Sequence, residues 1–290
     1  MHWFDTAGAG RSVAAGVRGP TDQMNGNAVM YALGKILAFG GAKNYNTVPG
    51  NPTTYAVADA TVITIGAPFK PAKITPTAPL NRARSFSNAV VLPDGKVLAI
   101  GGMVIPLPFS DTTAVTVPEI WDPATGKWTL LVDQLVPRTY HSVALLLPDA
   151  TVLSTGGGLC AAAVCNPNHP DGQRFHPPYL FLADGKTRTP RPLIRTAPAT
   201  AKPGSLINVR VRLNAESEIK TFALIRYGSA THSVNTDQRR IELPIVGRPQ
   251  KRVWRLRVPG NYGTTPRGVW MLFAINAASV PSVAKTVLIV

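Results

Sequence analysis

Tyr140 and His141 stand side by side in Arg138-Thr139-Tyr140-His141, just ahead of the apolar run Val143-Ala144-Leu145-Leu146-Leu147. Neutral imidazole is a common ligand for copper, zinc and iron, and a neighbouring phenol adds an oxygen ligand that can also act as a base. A Tyr-His pair packed at a strand end would read the same way, so its surroundings have to decide. A second histidine, His232, lies in the long loop running from Gly228 to Gln238. Long ordered loops serve function more often than connection. His169 and His176 read as loop residues bonded to backbone, and His2 as incidental to the chain start. Cys160 and Cys165 sit in a Gly- and Ala-rich loop. A lone C-x4-C is a weak metal signal, because a closed site wants four ligands. A short-loop disulfide in an oxidising compartment is the better reading.

The elements that must position these residues recur. Asn27-Ala28-Val29-Met30-Tyr31, a turn at Ala32-Leu33-Gly34, then Lys35 to Gly41 form one unit. Ser87 to Leu92, the turn Pro93-Asp94-Gly95 and Lys96 to Gly102 form a second. The third runs from His141 through Pro148-Asp149-Ala150 to Gly157. Strand, tight turn, strand and Gly-Gly, repeated along the chain, is the mark of kelch-type propeller blades. Val115–Trp121, Lys127–Leu130 and Ala56–Ile65 read as the outer strands. Three units do not close a ring, so the expectation is a partial propeller over residues 1–157. Residues 158–189 read as a loop-rich connector. From 190 to 290 short alternating strands, Ser205–Leu213 through Ser282–Val290, predict an independent immunoglobulin-like sandwich of about 100 residues.

Composition agrees with an all-β chain. Glycine (25) and proline (27) are spread throughout the 290 residues, and no sustained helical stripe appears. No apolar run approaches the length of a membrane span. The net charge of +15 admits an acidic partner. The basic residues are scattered singly along the sequence, with short clusters such as Arg239-Arg240 and Lys251-Arg252, and no basic stripe carries interleaved aromatics. The expectation is a generally cationic surface and no nucleic acid. The opening Met1-His2-Trp3-Phe4-Asp5 is not a signal peptide. A disulfide without one implies that the chain begins inside a longer, secreted protein.

Taken together, Arg138-Thr139-Tyr140-His141-Ser142, Gly156-Gly157-Gly158-Leu159-Cys160, Asn168-His169, Arg226-Tyr227-Gly228 and Thr231-His232-Ser233-Val234-Asn235-Thr236-Asp237-Gln238 resemble the galactose oxidase and glyoxal oxidase family of copper-radical oxidases. Trp270-Met271-Leu272-Phe273 and Val280-Pro281-Ser282 match its ending. The resemblance covers essentially the whole chain and corresponds to the family's C-terminal half. It implies one copper, with Tyr140 as axial ligand and acceptor of the alcohol proton, and with His141 and His232 as the equatorial ligands. The His232 loop would push from the sandwich into the propeller channel. It implies that Tyr45, Asn46 and Phe109 line the substrate mouth, with Asn46 replacing a glutamine, and that Cys160 and Cys165 form a disulfide. The family stores a radical on a tyrosine joined to a cysteine by a thioether. Cys160 and Cys165 are the only cysteines here, so that cofactor is expected to be absent, and the blades that bear it to be missing or supplied by another segment.

Two functions from different classes follow. One is the C-terminal portion of a copper-dependent oxidase, acting on primary alcohols, aldehydes or sugars with O2 and releasing hydrogen peroxide, inactive alone. The other is a non-catalytic propeller and sandwich module that binds glycans or a protein partner.

Overall fold

The computed structural model describes residues 1–290 except 20–21, 48–49, 159–167 and 214–217. Among the described residues the chain is all-β apart from one 3-10 turn at Pro178–Leu180, and no helix is long and apolar enough to cross a membrane. It is a partial β-propeller followed by a β-sandwich. A ribbon of β1 (His2–Phe4) and β2 (Ser12–Ala14) opens it. The first blade orders β3 (Asn27–Ala32), β4 (Lys35–Phe39), β5 (Ala60–Thr64) and β6 (Lys73–Pro76); the second orders β7 (Ser85–Val91), β8 (Val97–Met103), β9 (Glu119–Asp122) and β10 (Lys127–Leu130). The third holds β11 (Ser142–Leu146), β12 (Val152–Gly156) and β13 (Gly172–Phe175).

The expected strands Ala56–Ile65 and Ser282–Val290 shorten to Ala60–Thr64 and Lys285–Ile289, and two others change more. The outer strand of the second blade starts at Glu119, not Val115, because Pro118 has no N–H to give to a ladder. Residues 172–175, expected as connector, pair along β12 and complete the third blade's sheet. Their sequence, Gly-Gln-Arg-Phe, carries little strand preference of its own, and the open edge of β12 recruits it.

The Gly-Gly pairs explain how one blade seats on the next. Gly41 N–H donates to Arg84 O at 2.9 Å, and Gly102 N–H donates to Arg138 O at 2.7 Å. A Cβ at Gly101, which sits at φ +70°, would collide with that Arg138 carbonyl. Each arginine then turns its guanidinium onto its own blade. Arg84 donates to Gly101 O and Arg138 to Gly156 O, both at 3.0 Å. Arg84 and Glu119 form a fully buried pair at 2.6 Å, and burial holds the guanidinium below its ordinary pKa even against that carboxylate. Arg138 pairs with Asp171 at 2.7 Å.

The sandwich has two sheets. One orders β14 (Leu193–Thr196), β16 (Leu206–Arg212), β22 (Val253–Arg257) and β21 (Ile245–Gln250). The other orders β15 (Thr200–Ala201), β24 (Lys285–Ile289), β23 (Gly268–Asn276), β17 (Ile219–Arg226) and β20 (Arg240–Leu243), with β15 parallel to β24. The strands β17 and β23 read Ile-Lys-Thr-Phe-Ala-Leu-Ile-Arg and Gly-Val-Trp-Met-Leu-Phe-Ala-Ile-Asn. Such near-continuous apolar runs belong to a sheet covered on both faces. Phe222, Leu224, Trp270 and Leu272 fill the sandwich core. Their alternates Ala223, Ile225, Met271, Phe273 and Ile275 pack instead into the core of the blades. Cut free, the sandwich would present this second face to water.

At the seam, the Pro93-Asp94-Gly95 turn borders a cavity of about 290 Å³ that Lys96, Tyr179 and Ser279 also line. Burial pushes the Asp94 carboxyl from 3.8 to about 6; the Lys96 N–H and the charges of Lys96 and Arg240 oppose the rise, and Asp122 adds to it. The folded state thus keeps a proton that the unfolded chain gives up near 3.8. Stability from this group is lost as pH rises from about 4 to about 6 and is level above. Asp94→Asn, which still accepts the Lys96 N–H, is expected to raise the melting temperature at about pH 7 and to leave it unchanged near about pH 3.5. Thermal melts at both pH values check this, and an equal gain at both would refute the assignment.

Candidate metal centre

Tyr140 lies two residues after the buried Arg138, where the chain leaves the Gly101-Gly102 contact and turns into β11. His141 follows it at φ 66°. The third histidine arrives from the sandwich. Between β17 and β20 the chain makes a small ribbon of β18 (Ala230–Thr231) and β19 (Val234–Asn235), with His232 and Ser233 in its turn at φ 51° and 63°. This ribbon packs against β7 and β11. Gln238 holds its base to the second blade, accepting from Val91 N–H at 3.0 Å and donating to Ala89 O at 2.6 Å. Arg240 donates to Pro93 O at 2.9 Å, and Arg226 pairs with Asp237 at 3.4 Å. Asp237 and Arg240 thus pin the hairpin.

The result is convergence. The Tyr140 and His141 rings stack at 4.0 Å, His141 meets His232 edge-on at 5.1 Å, and Tyr140 lies 6.0 Å from His232. Phe109 stands edge-on to both Tyr140 (5.2 Å) and His141 (5.5 Å). Phe86, which the sequence reading missed, lies 5.0 Å from Tyr140. Phe86 follows Arg84 by the same two residues that separate Tyr140 from Arg138, so aligning the repeat units on their arginines would have found it. Phe86 (φ 56°), Phe109 (φ 60°), His141 and His232 all hold left-handed backbone. Each such residue costs about 1–3 kcal/mol, and strain of this kind gathers where function requires a fixed geometry.

The donor set suits a metal that takes nitrogen and oxygen ligands. His141 Nδ1 donates to Gly158 O at 2.9 Å, which leaves its Nε2 lone pair free to bind. His232 Nδ1 is bonded to the Thr231 hydroxyl at 2.8 Å. Among the described residues no group of three His, Cys, Asp and Glu forms a metal cluster, and the third donor here is a phenol. Two imidazoles and a phenolate fit copper.

The remaining expected residues divide. Phe109 stands in the cluster. Tyr45 is 44% exposed and shares no ring contact with it among the described residues. Asn46 is buried, and its amide closes its own loop. Its Oδ1 accepts from Thr53 and Thr54 N–H at 2.8 and 3.1 Å, and its Nδ2 donates to Thr54 O at 2.9 Å. It borders a cavity of about 160 Å³ with Met103, Ile105 and Thr113. Cys160 and Cys165, with their disulfide, lie outside the described residues. The His169 N–H donates to Gly157 O at 3.1 Å, but its ring has a side-chain partner: Nε2 meets Asp111 Oδ2 at 2.6 Å, and the same carboxylate accepts from the Thr139 hydroxyl at 3.2 Å. That bridge fastens the Phe109 loop beside Tyr140. His176 pairs with Arg188 instead.

Residues 191–289 match the galactose oxidase-like early set domain. A galactose oxidase of Gibberella zeae is 40% identical over 99% of this chain. The chain is galactose oxidase-like over its whole length. An Arabidopsis thaliana aldehyde oxidase, GLOX1, is 29% identical over 76% of it. A solved structure described as a novel fungal alcohol oxidase of the AA5 family, in complex with copper, superposes on all of it with a TM-score of 0.92 and 42% identity. The galactose oxidase-like chain spans 42% of the Gibberella protein, 38% of the Arabidopsis one and 59% of the fungal structure.

Proposed function

We propose that Tyr140, His141 and His232 hold one copper ion in a protein that oxidises primary alcohols or aldehydes with O2. The balance is RCH2OH + O2 → RCHO + H2O2, and an aldehyde hydrate would yield the acid in the same way. The observation that carries this reading is the convergence of one phenol and two imidazoles from a propeller blade and a sandwich hairpin. Copper, when bound, supplies a one-electron redox centre. Tyr140 accepts the substrate hydroxyl proton on its phenolic oxygen. His141 is held by Gly158 with Nε2 directed away from that bond, and the Gln238 anchor sets the position of His232. Phe86 and Phe109 wall the Tyr140 ring and fix its orientation. The reading places the protein outside the cell.

Two electrons leave the alcohol, and one metal needs a second store beside it. The resemblance assigns that store to a tyrosine joined to a cysteine, and the resemblance also assigns Cys160 and Cys165 to a disulfide. In this reading neither Tyr140, needed as base, nor the exposed Tyr45 substitutes, and the store comes with blades contributed by another segment. The copper-loaded 290-residue chain is therefore expected to show an ordinary Cu(II) resonance with nitrogen hyperfine coupling. No tyrosyl-radical absorption should follow oxidant, and peroxide from galactose, glyoxal or methylglyoxal should be negligible. Failure to bind copper would sink the metal assignment. Robust peroxide release would sink only the assignment of the second store.

A further inference from the structure

The charge of this chain is not spread evenly. Residues 191–290 hold 16 of the 30 Lys and Arg but 4 of the 15 Asp and Glu. Those acids are Glu216, Glu218, Asp237 and Glu242, and none lies on β14, β16, β21 or β22. The four strands read Leu-Ile-Arg-Thr, Leu-Ile-Asn-Val-Arg-Val-Arg, Ile-Val-Gly-Arg-Pro-Gln and Val-Trp-Arg-Leu-Arg. Their alternation sorts them cleanly. Ile207, Val209, Val211, Trp254 and Leu256 turn into the sandwich core.

The opposite face is arginine. Leu206 pairs with Arg257, Asn208 with Arg255, and Thr196 with Arg210, next to Arg195 in the bulge of β14. Arg195, Arg210, Arg212, Arg255 and Arg257 are all exposed. Side chains on one face recur every ~7 Å along a strand, and neighbouring strands lie ~4.8 Å apart, so this is one continuous cationic surface. Two of the guanidiniums are steadied by neutral neighbours: Arg210 donates to Gln250 Oε1 at 3.1 Å, and Arg255 to Asn208 Oδ1 at 3.3 Å. These bonds orient the groups without neutralising them. The other sheet, through β17 and β23, packs on the blades. The arginine face therefore points away from the propeller and from His232.

We propose that this face binds an acidic polysaccharide, a polyuronate chain, and that the sandwich thereby anchors the protein on an anionic matrix while leaving the Tyr140 cluster open. Guanidinium presents a planar fork that matches a carboxylate in two parallel hydrogen bonds, and a row of forks matches a polymer with a carboxylate on every unit. Nucleic acid fits this face less well. A flat sheet offers no element to enter a groove, and the aromatic side chain of these strands, Trp254, is buried on the inner face and so cannot stack a base.

The test uses the full chain and three polymers: polygalacturonate, heparin and duplex DNA, with neutral dextran as blank. The face variant is Arg210→Gln/Arg255→Gln/Arg257→Gln, all at exposed positions. A control removes the same charge elsewhere, as Lys70→Gln/Lys127→Gln/Lys186→Gln. At about 50 mM salt the face variant is expected to lose at least about 10-fold in polygalacturonate affinity and the control less than about 2-fold, with a shallower salt dependence in the face variant alone. Circular dichroism of both variants confirms the fold. Equal losses in the two variants would make the binding a product of net charge and overturn the proposal. So would no affinity for polygalacturonate, or tighter binding of heparin or DNA through the same arginines.

Discussion

His232→Ala is expected to lower Cu(II) affinity by at least about 100-fold, more than the 10–100-fold that follows loss of an outer-shell partner. The reason is the size of the donor set. A site of one phenol and two imidazoles has no spare ligand, and two of the chain's three other histidines are committed elsewhere: His169 to Asp111 and His176 to Arg188. Thr231→Val supplies the internal comparison. It removes the partner of His232 Nδ1 and leaves the ring in place, so a loss of about 10-fold is expected. Calorimetric titration gives both numbers. Copper bound by His232→Ala with unchanged stoichiometry and affinity would place the metal elsewhere.

Glu119→Ala is the largest stability loss expected from a single change in the blades. Its carboxylate accepts from Asn81 N–H at 2.7 Å and Arg82 N–H at 3.0 Å while pairing with the fully buried Arg84. Breaking a buried pair by removing one partner costs about 3–5 kcal/mol, because the other charge stays in the interior uncompensated. Denaturant unfolding should show that loss in the midpoint. Removing both charges, as Arg84→Met/Glu119→Leu, should recover much of it. If the single and double variants unfold alike, the penalty does not come from the orphaned guanidinium.

The hairpins of the blades were legible because local chemistry decides them. Pro93-Asp94-Gly95 makes a turn wherever it is put, and Gly40-Gly41 and Gly101-Gly102 mark positions no side chain can share. Tyr140 and His141 were legible as a motif, and His232 as the histidine of an overlong loop. What stayed hidden depended on distant partners. Strand β13 exists because β12 has an edge to offer, not because Gly-Gln-Arg-Phe prefers extension. Asp111 and His169 are separated by the outer strands of the second blade and the first two of the third before they meet at 2.6 Å. The resemblance implies that Asn46 lines the substrate mouth, and only its surroundings reveal that its amide also closes its own loop through Thr53 and Thr54. The arginine face was invisible for a related reason. Residues scattered singly along the chain are gathered only by the register of four strands.

The doubly covered pair β17–β23 ties the proposed copper site to the seating of the sandwich on the blades. The His232 ribbon is rooted in this sheet and packs against β7 and β11, so the seam at Met271 and Phe273 and the blades beside the ribbon position the same ring. In the proposed function, affinity for copper is therefore a gauge of how firmly the sandwich sits on the propeller, and a mutation at the seam would weaken the site without touching a ligand.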